Sequence, residues 1–378
     1  METRVINFYD KFICLASDCP NTCCRGWRIT IDDDTVNRYK QEKGIEGIRL
    51  KAMMSFGEDK EVRRIVGRCT NETKEGLCRL QLKGRVDLMP EVCRMYPRRS
   101  VAIGDEEEVT FELSCPLTAK LFLENVNSIH LVPYEGEAVV PVWTQDMFDE
   151  EYYNVLLKVR DKVLDFADSG LSLPETMHDL YGYFHTIHKL LIAGNMDVLN
   201  VPIKDEDAKS TSGEFAYNFY SFAIFDKIIM NDLDDGRFRF QDPLRTFIRE
   251  YNKLFADMTA AEADRFFDET VTKMVKEYPV FNDKYKGYLR YYLIQALYSS
   301  YESIGCYKEY LRGMVYLMAL ILTDVVDYVN GRDMENVDRQ VKLLNACERR
   351  FRHNVSVRKK VTHRIEEEFI KQKEGYIF

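Results

Sequence analysis

Apolar residues recur at helical spacing through most of the chain beyond residue 142. Side chains three and four residues apart share one face of a helix, so this spacing predicts a series of amphipathic helices. The tetrapeptide Thr259-Ala260-Ala261-Glu262 has the form of a capping box, in which the threonine hydroxyl and the glutamate carboxylate satisfy free backbone donors where a helix begins. The predicted helices span residues 149–166, 174–193, 215–230, 244–255, a segment that starts at 259, 283–302, 306–329, 332–352 and 355–373.

The first third of the chain shows shorter elements that are separated by turns. Residues 27–31 alternate in polarity as a brief β-strand does, and Asp33 or Asp34 is placed to cap a helix that continues through Val36 and Tyr39. Such a loop-rich segment needs an anchor. The pattern therefore predicts a mainly α protein, with a small loop-rich cysteine-cluster N-terminal domain and a larger all-helical C-terminal domain.

The longest apolar run covers residues 314–322, and even when extended to Val326 it is shorter than the ~20 residues that a membrane-spanning helix needs. We expect a buried helix there and no membrane attachment. The first six residues contain no apolar region ahead of a small-residue cleavage site. No export signal is therefore predicted, and the expected location is the cytoplasm.

Composition divides the chain near residue 130. Eight of the ten cysteines lie in the first 115 residues. Residues 1–125 carry 21 basic and 21 acidic side chains, so the rest of the chain holds the whole formal charge of −9. An acidic surface is a poor match for nucleic-acid phosphates, and we expect no nucleic-acid partner. We predict a cysteine-rich metal-binding or iron-sulfur-binding domain over residues 1–130 and a helical domain over residues 131–378.

The clustered cysteines are candidate metal ligands. Cytosolic thiols are held reduced, so a cysteine framework there is more often metal-binding or catalytic than disulfide-bonded. The chain contains no Cys-x2-Cys pair of the kind that is typical of zinc knuckles, which favours an iron-sulfur cluster over zinc. The predicted ligands are Cys14, Cys19, Cys23, Cys24, Cys69, Cys78, Cys93 and Cys115.

Four thiolates complete one cluster, so eight candidates leave two possibilities. Either a second centre is present, or some of these cysteines only lie nearby. The adjacent residues Cys23 and Cys24 are not expected to bind the same iron. Cys306 and Cys347 lie within predicted helices and are expected to be small buried apolar residues.

Histidine and arginine residues supply two further candidate groups. His178, His185 and His188 share one helical face and could hold a metal, but without a carboxylate pattern nearby a polar helix face is the preferred interpretation. Five arginines flank the cysteines, and they either compensate a negative cluster, hold an anionic carboxylate, or are ordinary surface charges. They are Arg25, Arg28, Arg94, Arg98 and Arg99.

Short motifs around the cysteines match those of a known family. They are Cys23-Cys24-Arg25-Gly26-Trp27, Gly76-Leu77-Cys78-Arg79, Cys93-Arg94-Met95-Tyr96-Pro97-Arg98 and Leu113-Ser114-Cys115-Pro116. Residues 8–120, which carry these motifs, resemble the flagellin lysine-N-methylase family (FliB-like). Their cysteine framework is also similar to that of proteins described as zinc- or iron-chelating. The family often has an acidic residue after the Cys-Pro pair, whereas this chain has Leu117.

The resemblance implies an enzyme that transfers a methyl group from S-adenosylmethionine to lysine side chains of a protein substrate, which is flagellin in the best-known relatives. It also implies a 4Fe-4S cluster in the N-terminal domain, with zinc as the alternative. An acidic surface and many aromatic rings would suit a lysine-bearing partner and a sulfonium cofactor. Radical cleavage of the cofactor normally uses Cys-x3-Cys-x2-Cys, which this chain lacks, so a structural or anchoring cluster is favoured.

Catalytic and cofactor-binding residues have no clear motif in this sequence. No Gly-x-Gly-x-x-Gly turn marks a nucleotide-type pocket. A second interpretation is a non-enzymatic iron-sulfur or zinc-binding scaffold protein that shares the cysteine framework. The length of the helical part favours the enzyme, because a bare metal-chelating module does not need so much additional chain.

Overall fold

The computed structural model describes residues 2–25, 28–55, 60–103, 106–136, 149–204, 243–303 and 305–371. The chain divides into two compact units, Met1–Leu121 with Val132–Trp143 and Phe122–Leu131 with Thr144–Phe378. The predicted fold class is confirmed, because a small N-terminal region precedes a larger helical part. The domain limits at 1–130 and 131–378, taken as independently folding domains, stay a prediction.

The first unit contains a four-stranded sheet that the sequence analysis did not predict. The strands are β1 Glu2–Ile6, β2 Arg64–Ile65, β3 Arg68–Cys69, β4 Arg98–Ile103, β5 Glu106–Phe111 and β6 Leu131–Pro133. The order in the four-stranded sheet is β4-β5-β1-β6, with β1 parallel to β5 and β4 antiparallel to β5. Strands β2 and β3 form a separate antiparallel pair.

The charged residues of strand β5 explain why the sequence analysis did not predict this strand. Three consecutive glutamates begin this strand, and such a run disfavours a strand by composition. Arg4 on β1 pairs with Glu106 at 3.2 Å and with Glu108 at 2.7 Å. The Glu107 carboxylate is buried and accepts hydrogen bonds from the hydroxyls of Thr3 and Ser100. Cross-strand partners therefore satisfy the three carboxylates.

Residues 28–31 do not form the predicted strand. Only Thr30 makes a β-bridge, to Glu61, while Trp27 lies outside the described residues. The alternation nevertheless places two buried side chains, Ile29 and Ile31, in the core on either side of exposed Thr30. The polarity pattern thus identified the buried face but not the secondary structure.

The helices of the first unit are short. The cap of the first of them is Asp32 rather than the predicted Asp33 or Asp34, because the Asp32 carboxylate accepts the backbone N–H of Thr35 at 2.8 Å. Its second oxygen accepts the N–H of Glu91 at 2.8 Å, so one side chain joins the starts of two helices. These helices are α1 Asp33–Gln41, α2 Gly44–Met53, α3 Arg79–Leu82, α4 Glu91–Met95 and α5 Pro116–Leu123.

Long helices form the described part of the second unit. They are α6 Glu150–Ala167, α7 Leu173–Ile192, α8 Pro243–Phe255, α9 Ala260–Glu277, α10 Val280–Ser303, α11 Cys306–Val329, α12 Val337–Phe351 and α13 Val355–Ile365, and a π-helical turn at Glu366–Lys371 follows.

Most predicted helices agree with these bounds within a few residues. The helix predicted from residue 332 begins later, because Asn336 accepts the N–H of Arg339 and caps α12. The helix predicted over 355–373 is α-helical only to Ile365. The predicted helix 215–230 lies outside the described residues.

Helix α11 forms the centre of the second unit. Its residues from Met314 to Asp327 are all buried, as the long apolar run predicts. Helix α10 lies against a turn at Val126–Ser128, where a Cβ atom added to Gly287 would be 2.5 Å from the backbone oxygen of Val126. Among the helices that the structure describes, none combines the length and the apolarity needed to cross a bilayer.

The capping box of α9 gives a stability prediction. The Thr259 hydroxyl accepts the N–H of Glu262 at 3.4 Å, and the Glu262 carboxylate accepts the N–H of Thr259 at 2.8 Å. Thr259→Ala removes the first acceptor and is expected to lower the free energy of unfolding by about 1 kcal/mol in urea titrations followed by circular dichroism. Thr259→Ser keeps a hydroxyl and is the control. Equal stability of the two variants would contradict the role of this cap.

Candidate metal centre

Four of the eight predicted cysteine ligands are brought together by short segments of the first unit. Cys69 ends strand β3, and its N–H donates to the carbonyl oxygen of Cys24 at 3.0 Å. A β-bridge between Arg25 and Arg68 joins the same two segments. The loop that carries Cys24 is therefore fixed beside the strand that carries Cys69.

The other two cysteines of this group flank short helices. Cys78 immediately precedes α3 and makes a β-bridge with Glu72, so the loop after Cys69 returns to the same place. Cys93 lies in α4, and the start of that helix is held by the hydrogen bond between the Glu91 N–H and Asp32. Local backbone structure thus positions each cysteine.

We call Cys24, Cys69, Cys78 and Cys93 the inner cysteines. Cys69 is buried, and the other three are half-buried. All four belong to or pack against one apolar cluster. The buried members of that cluster are Ile29, Ile31, Val36, Tyr39, Leu50, Met53, Val62, Cys69, Leu80, Leu88 and Met89.

Electrostatic interactions connect the inner cysteines in all six pairwise combinations. Burial is the main cause that raises the pKa of Cys69 to about 11, and the neighbouring thiols Cys24 and Cys78 contribute in the same direction. Burial is also the main cause that raises the pKa of Cys93 and of Cys78. Four thiolates at this place would repel one another strongly, so their common ionisation requires a cation among them.

Cys24 is the inner cysteine that ionises most readily. A hydrogen bond with the Cys23 side chain lowers the pKa of Cys24 to about 7, and Thr22 and Arg25 act in the same direction. The same hydrogen bond raises the pKa of Cys23, as expected of the donor. Cys23 therefore serves Cys24 as a hydrogen-bond donor. The expectation that these neighbours do not bind the same iron stays a prediction.

Backbone N–H groups point at the inner sulfurs. The Asn71 N–H donates to Sγ of Cys69 at 3.4 Å. Burial raises the pKa of Cys78, but hydrogen bonds from the N–H groups of Gln81 and Leu80 lower it in part. Such N–H groups stabilise thiolates and are a recognised means of tuning iron-sulfur clusters.

The sulfurs are not yet arranged as ligands. Among the described residues, no group of three or more His, Cys, Asp or Glu side chains converges closely enough to hold a metal ion. Coordination by the inner cysteines thus requires their side chains to move from these positions. The donor set itself fits a soft metal, because it consists of four neighbouring thiols with N–H donors directed at two of them.

The remaining four predicted ligands are connected only in part. Cys23 interacts electrostatically with Cys14, and Cys115 interacts with Cys19. Cys14 and Cys23 are exposed, whereas burial raises the pKa of Cys115 where it precedes α5. All ten cysteines lie in the described part of the chain, and none of them is joined to another as a disulfide.

Several arginines near the cysteines pair with carboxylates. Arg25 and Arg68 both contact the buried Glu72 carboxylate. Burial alone would raise the pKa of Glu72, but the hydrogen bonds from these two guanidinium groups outweigh it and lower the pKa. Arg28 pairs with Glu61 at 2.8 Å. The Arg25–Glu72–Arg68 group holds together the segments that carry Cys24 and Cys69.

The described part of the helical unit offers no comparable set of ligands. His185 and His188 lie against the ring of Tyr307, with ring centroids 5.2 Å and 5.8 Å apart, and the described residues contain no metal-binding group that includes them. The Tyr-rich stretch in α10 is core, because Tyr285, Tyr288 and Tyr291 are buried.

The sequence analysis did not identify two buried polar features. The first is the Tyr39 hydroxyl, which lies in the apolar cluster of the inner cysteines and has no hydrogen-bond partner in the described part of the chain. The second is the buried ion pair between Lys284 and Asp324, whose atoms Nζ and Oδ2 are 2.7 Å apart. Neither residue belongs to a motif, so no local signal identifies them.

Comparisons with known proteins give limited similarity. No family model and no solved structure matches this chain. The chain is 26% identical to a lysine-N-methylase of Salmonella typhimurium over 132 residues, which cover 33% of this chain and 33% of that protein. It is also 26% identical over 132 residues to the flagellar biosynthetic protein FliU of Salmonella muenchen, which cover 33% of this chain and 78% of that protein.

A lysine-N-methylase of Salmonella choleraesuis gives the same values of 26% identity over 132 residues, 33% of this chain and 33% of that protein. The similarity therefore spans about a third of the length of the curated lysine-N-methylases. It supports a loose relationship to proteins of that name.

Proposed function

We propose that this protein is a lysine N-methyltransferase that transfers a methyl group from S-adenosylmethionine to lysine side chains of a protein substrate, with flagellin as the first candidate. We further propose that the inner cysteines hold a 4Fe-4S cluster. The names of the similar proteins support the reaction. The observation that carries the metal centre is the packing of Cys24, Cys69, Cys78 and Cys93 in or against one apolar cluster, where the four thiols also influence one another electrostatically.

The number and chemistry of the inner cysteines support one four-thiolate centre. Four thiolates complete a cluster of this type, and zinc with four thiolates is the alternative. When bound, the cluster supplies the positive charge that lets four neighbouring thiols ionise together. The segments around Cys24, Cys69, Cys78 and Cys93 contain only short strands and helices, so a shared metal centre would also anchor them.

Charge supports a lysine-bearing substrate. The formal net charge of the chain is −9, and all of it lies beyond residue 125. A negative field raises the local concentration of positively charged partners and increases their rate of association. The chemical step itself needs a neutral lysine amine aligned with the sulfonium methyl group, which is chiefly a matter of desolvation and orientation.

The alternative is a non-enzymatic iron-sulfur or zinc-binding scaffold protein. It shares the proposed metal centre but predicts no affinity for S-adenosylmethionine. The similarity to lysine-N-methylases covers only 33% of this chain and does not decide between the two functions. Because both functions include the proposed metal centre, cofactor binding rather than metal content distinguishes them.

The test begins with anaerobic purification of the full chain and analysis of iron, sulfide and zinc. Calorimetry with S-adenosylhomocysteine then measures cofactor binding, and mass spectrometry of purified flagellin incubated with protein and S-adenosylmethionine measures methylation. The proposal expects four iron atoms per chain, saturable cofactor binding and a mass increase on flagellin lysines. Flagellin whose lysines have been acetylated is the control. A metal-loaded chain that binds no cofactor would support the scaffold function instead.

A further inference from the structure

The Tyr39 hydroxyl is a buried hydrogen-bond donor inside the apolar cluster of the inner cysteines. Tyr39 lies on α1, and none of its side chain is exposed. Its hydroxyl has no hydrogen-bond partner among the described residues. Cys69 belongs to the same buried cluster, and Cys24, Cys78 and Cys93 pack against it.

A buried hydroxyl without a partner is costly. Leaving such a group unsatisfied costs about 1–3 kcal/mol, whereas phenylalanine would fill nearly the same volume without that cost. The hydroxyl is therefore explained best by an acceptor that forms when the site is complete. Within the apolar cluster and the residues packed against it, the cysteines supply the sulfur atoms that could accept this hydrogen. The Asp32 carboxylate also acts on Tyr39 electrostatically, but its two oxygens already accept the N–H groups of Thr35 and Glu91.

The electrostatic surroundings of Tyr39 also favour a donor. Burial is the main cause that raises the pKa of Tyr39, and Cys93, Cys69, Cys78 and Asp32 act in the same direction. The phenol therefore stays protonated and can act as a hydrogen-bond donor. A protonated phenol beside thiolates can only donate its hydrogen to them.

The surroundings distinguish Tyr39 from two other tyrosines. The hydroxyls of Tyr183 and Tyr316 are also buried without a partner in the described residues. Both lie in helices of the second unit, α7 and α11, which contain none of the inner cysteines. Tyr183 is therefore a suitable control for the loss of a buried hydroxyl.

We propose that Tyr39 positions and tunes the metal centre by donating an O–H···S hydrogen bond to the sulfur of the inner cysteines or of a cluster bound by them. This inference rests on the proposed metal centre and not on the methyl-transfer reaction. The hydrogen bond withdraws negative charge from sulfur and favours the more negative, reduced state of a cluster, so its loss lowers the reduction potential. The change is a difference in hydrogen bonding, and no covalent bond forms or breaks.

The test compares full-length Tyr39→Phe with wild type after anaerobic reconstitution with iron and sulfide. We expect the same iron content and a midpoint potential that is lower by about 59 mV, the value of a tenfold change in a one-electron equilibrium. Tyr183→Phe is expected to keep the wild-type potential. Equal potentials in Tyr39→Phe and wild type would overturn the role of Tyr39 while leaving the metal centre intact.

A second measurement covers the case in which Tyr39→Phe does not retain iron. Titration of the metal-free chain with Co2+, followed by the sulfur-to-cobalt charge-transfer absorption, should show about tenfold weaker binding in Tyr39→Phe than in wild type. Equal Co2+ affinities would count against Tyr39. A wild-type chain that binds neither iron nor Co2+ through thiolates would overturn the metal centre and the role of Tyr39 together, independently of any result on methylation.

Discussion

Replacing Cys78 or Cys93 by serine is expected to remove most of the iron from the purified protein and to destabilise its first unit. Both residues belong to the inner cysteines, which interact in all six pairs. Serine keeps the size of the side chain but is a much poorer ligand for a soft metal. We expect the iron content to fall at least tenfold, as measured by metal analysis and by the visible absorption of the cluster.

The same experiment separates the inner cysteines from the others. Cys14 is exposed and interacts with Cys23 but is not among the neighbours of the inner set, so Cys14→Ser should keep its iron. Cys306→Ser is the control for the loss of a buried thiol in the second unit, where Cys306 begins helix α11. If Cys14→Ser loses as much iron as Cys78→Ser, the choice of the inner four is wrong.

The helical part could be predicted from local signals. Apolar spacing and the Thr259 capping box predict α9 and its start. The long apolar run after residue 313 predicts the buried part of α11. The start of α12 moved because the Asn336 cap lay inside the predicted helix, and α13 is α-helical only to Ile365. Capping and periodicity are local properties, so the sequence carries them in one short window.

Local signals of this kind could not predict the four-stranded sheet or which four cysteines are proposed as the inner set. Strand β5 pairs with β1, which lies about a hundred residues earlier in the chain, and its glutamates find partners only across the sheet. Similarly, Cys24 and Cys93 become neighbours through contacts between distant segments, such as the hydrogen bond from Glu91 to Asp32. Residue type predicts the eight cysteines as metal ligands only as a group, and the proposal of four among them rests on tertiary contacts.

The Lys284–Asp324 pair shows the same limit in the helical core. Helical periodicity alone gives no reason to bury a lysine, yet Lys284 and Asp324 are both buried. Lys284 also donates to the Gln340 side chain, and the Tyr285 hydroxyl donates to Asp324 at 2.9 Å. The pair therefore joins α10, α11 and α12 through polar contacts in an apolar interior.

Lys284→Met is expected to lower the free energy of unfolding by about 3–5 kcal/mol, because it leaves the Asp324 carboxylate buried without its cation. The double variant Lys284→Met/Asp324→Leu should recover much of this loss, since both charges are then replaced by apolar groups. Lys273→Met, which removes an exposed partner of Glu277 in α9, is the control and should change stability little. The measurement is urea unfolding followed by circular dichroism.

The pH dependence of Lys284→Met gives an independent check. Burial already raises the pKa of Asp324, although Lys284 and Tyr285 lower it in part, so removal of the lysine raises this pKa further. A group with a raised pKa in the folded state binds its proton more tightly there than in the unfolded chain, and that contribution is lost as the pH rises through the folded-state value. The destabilisation by Lys284→Met should therefore be smaller at about pH 5 than at about pH 8. A loss that is equal at both pH values, and that the double variant does not reduce, would show that Lys284 acts through its size and packing rather than through its charge.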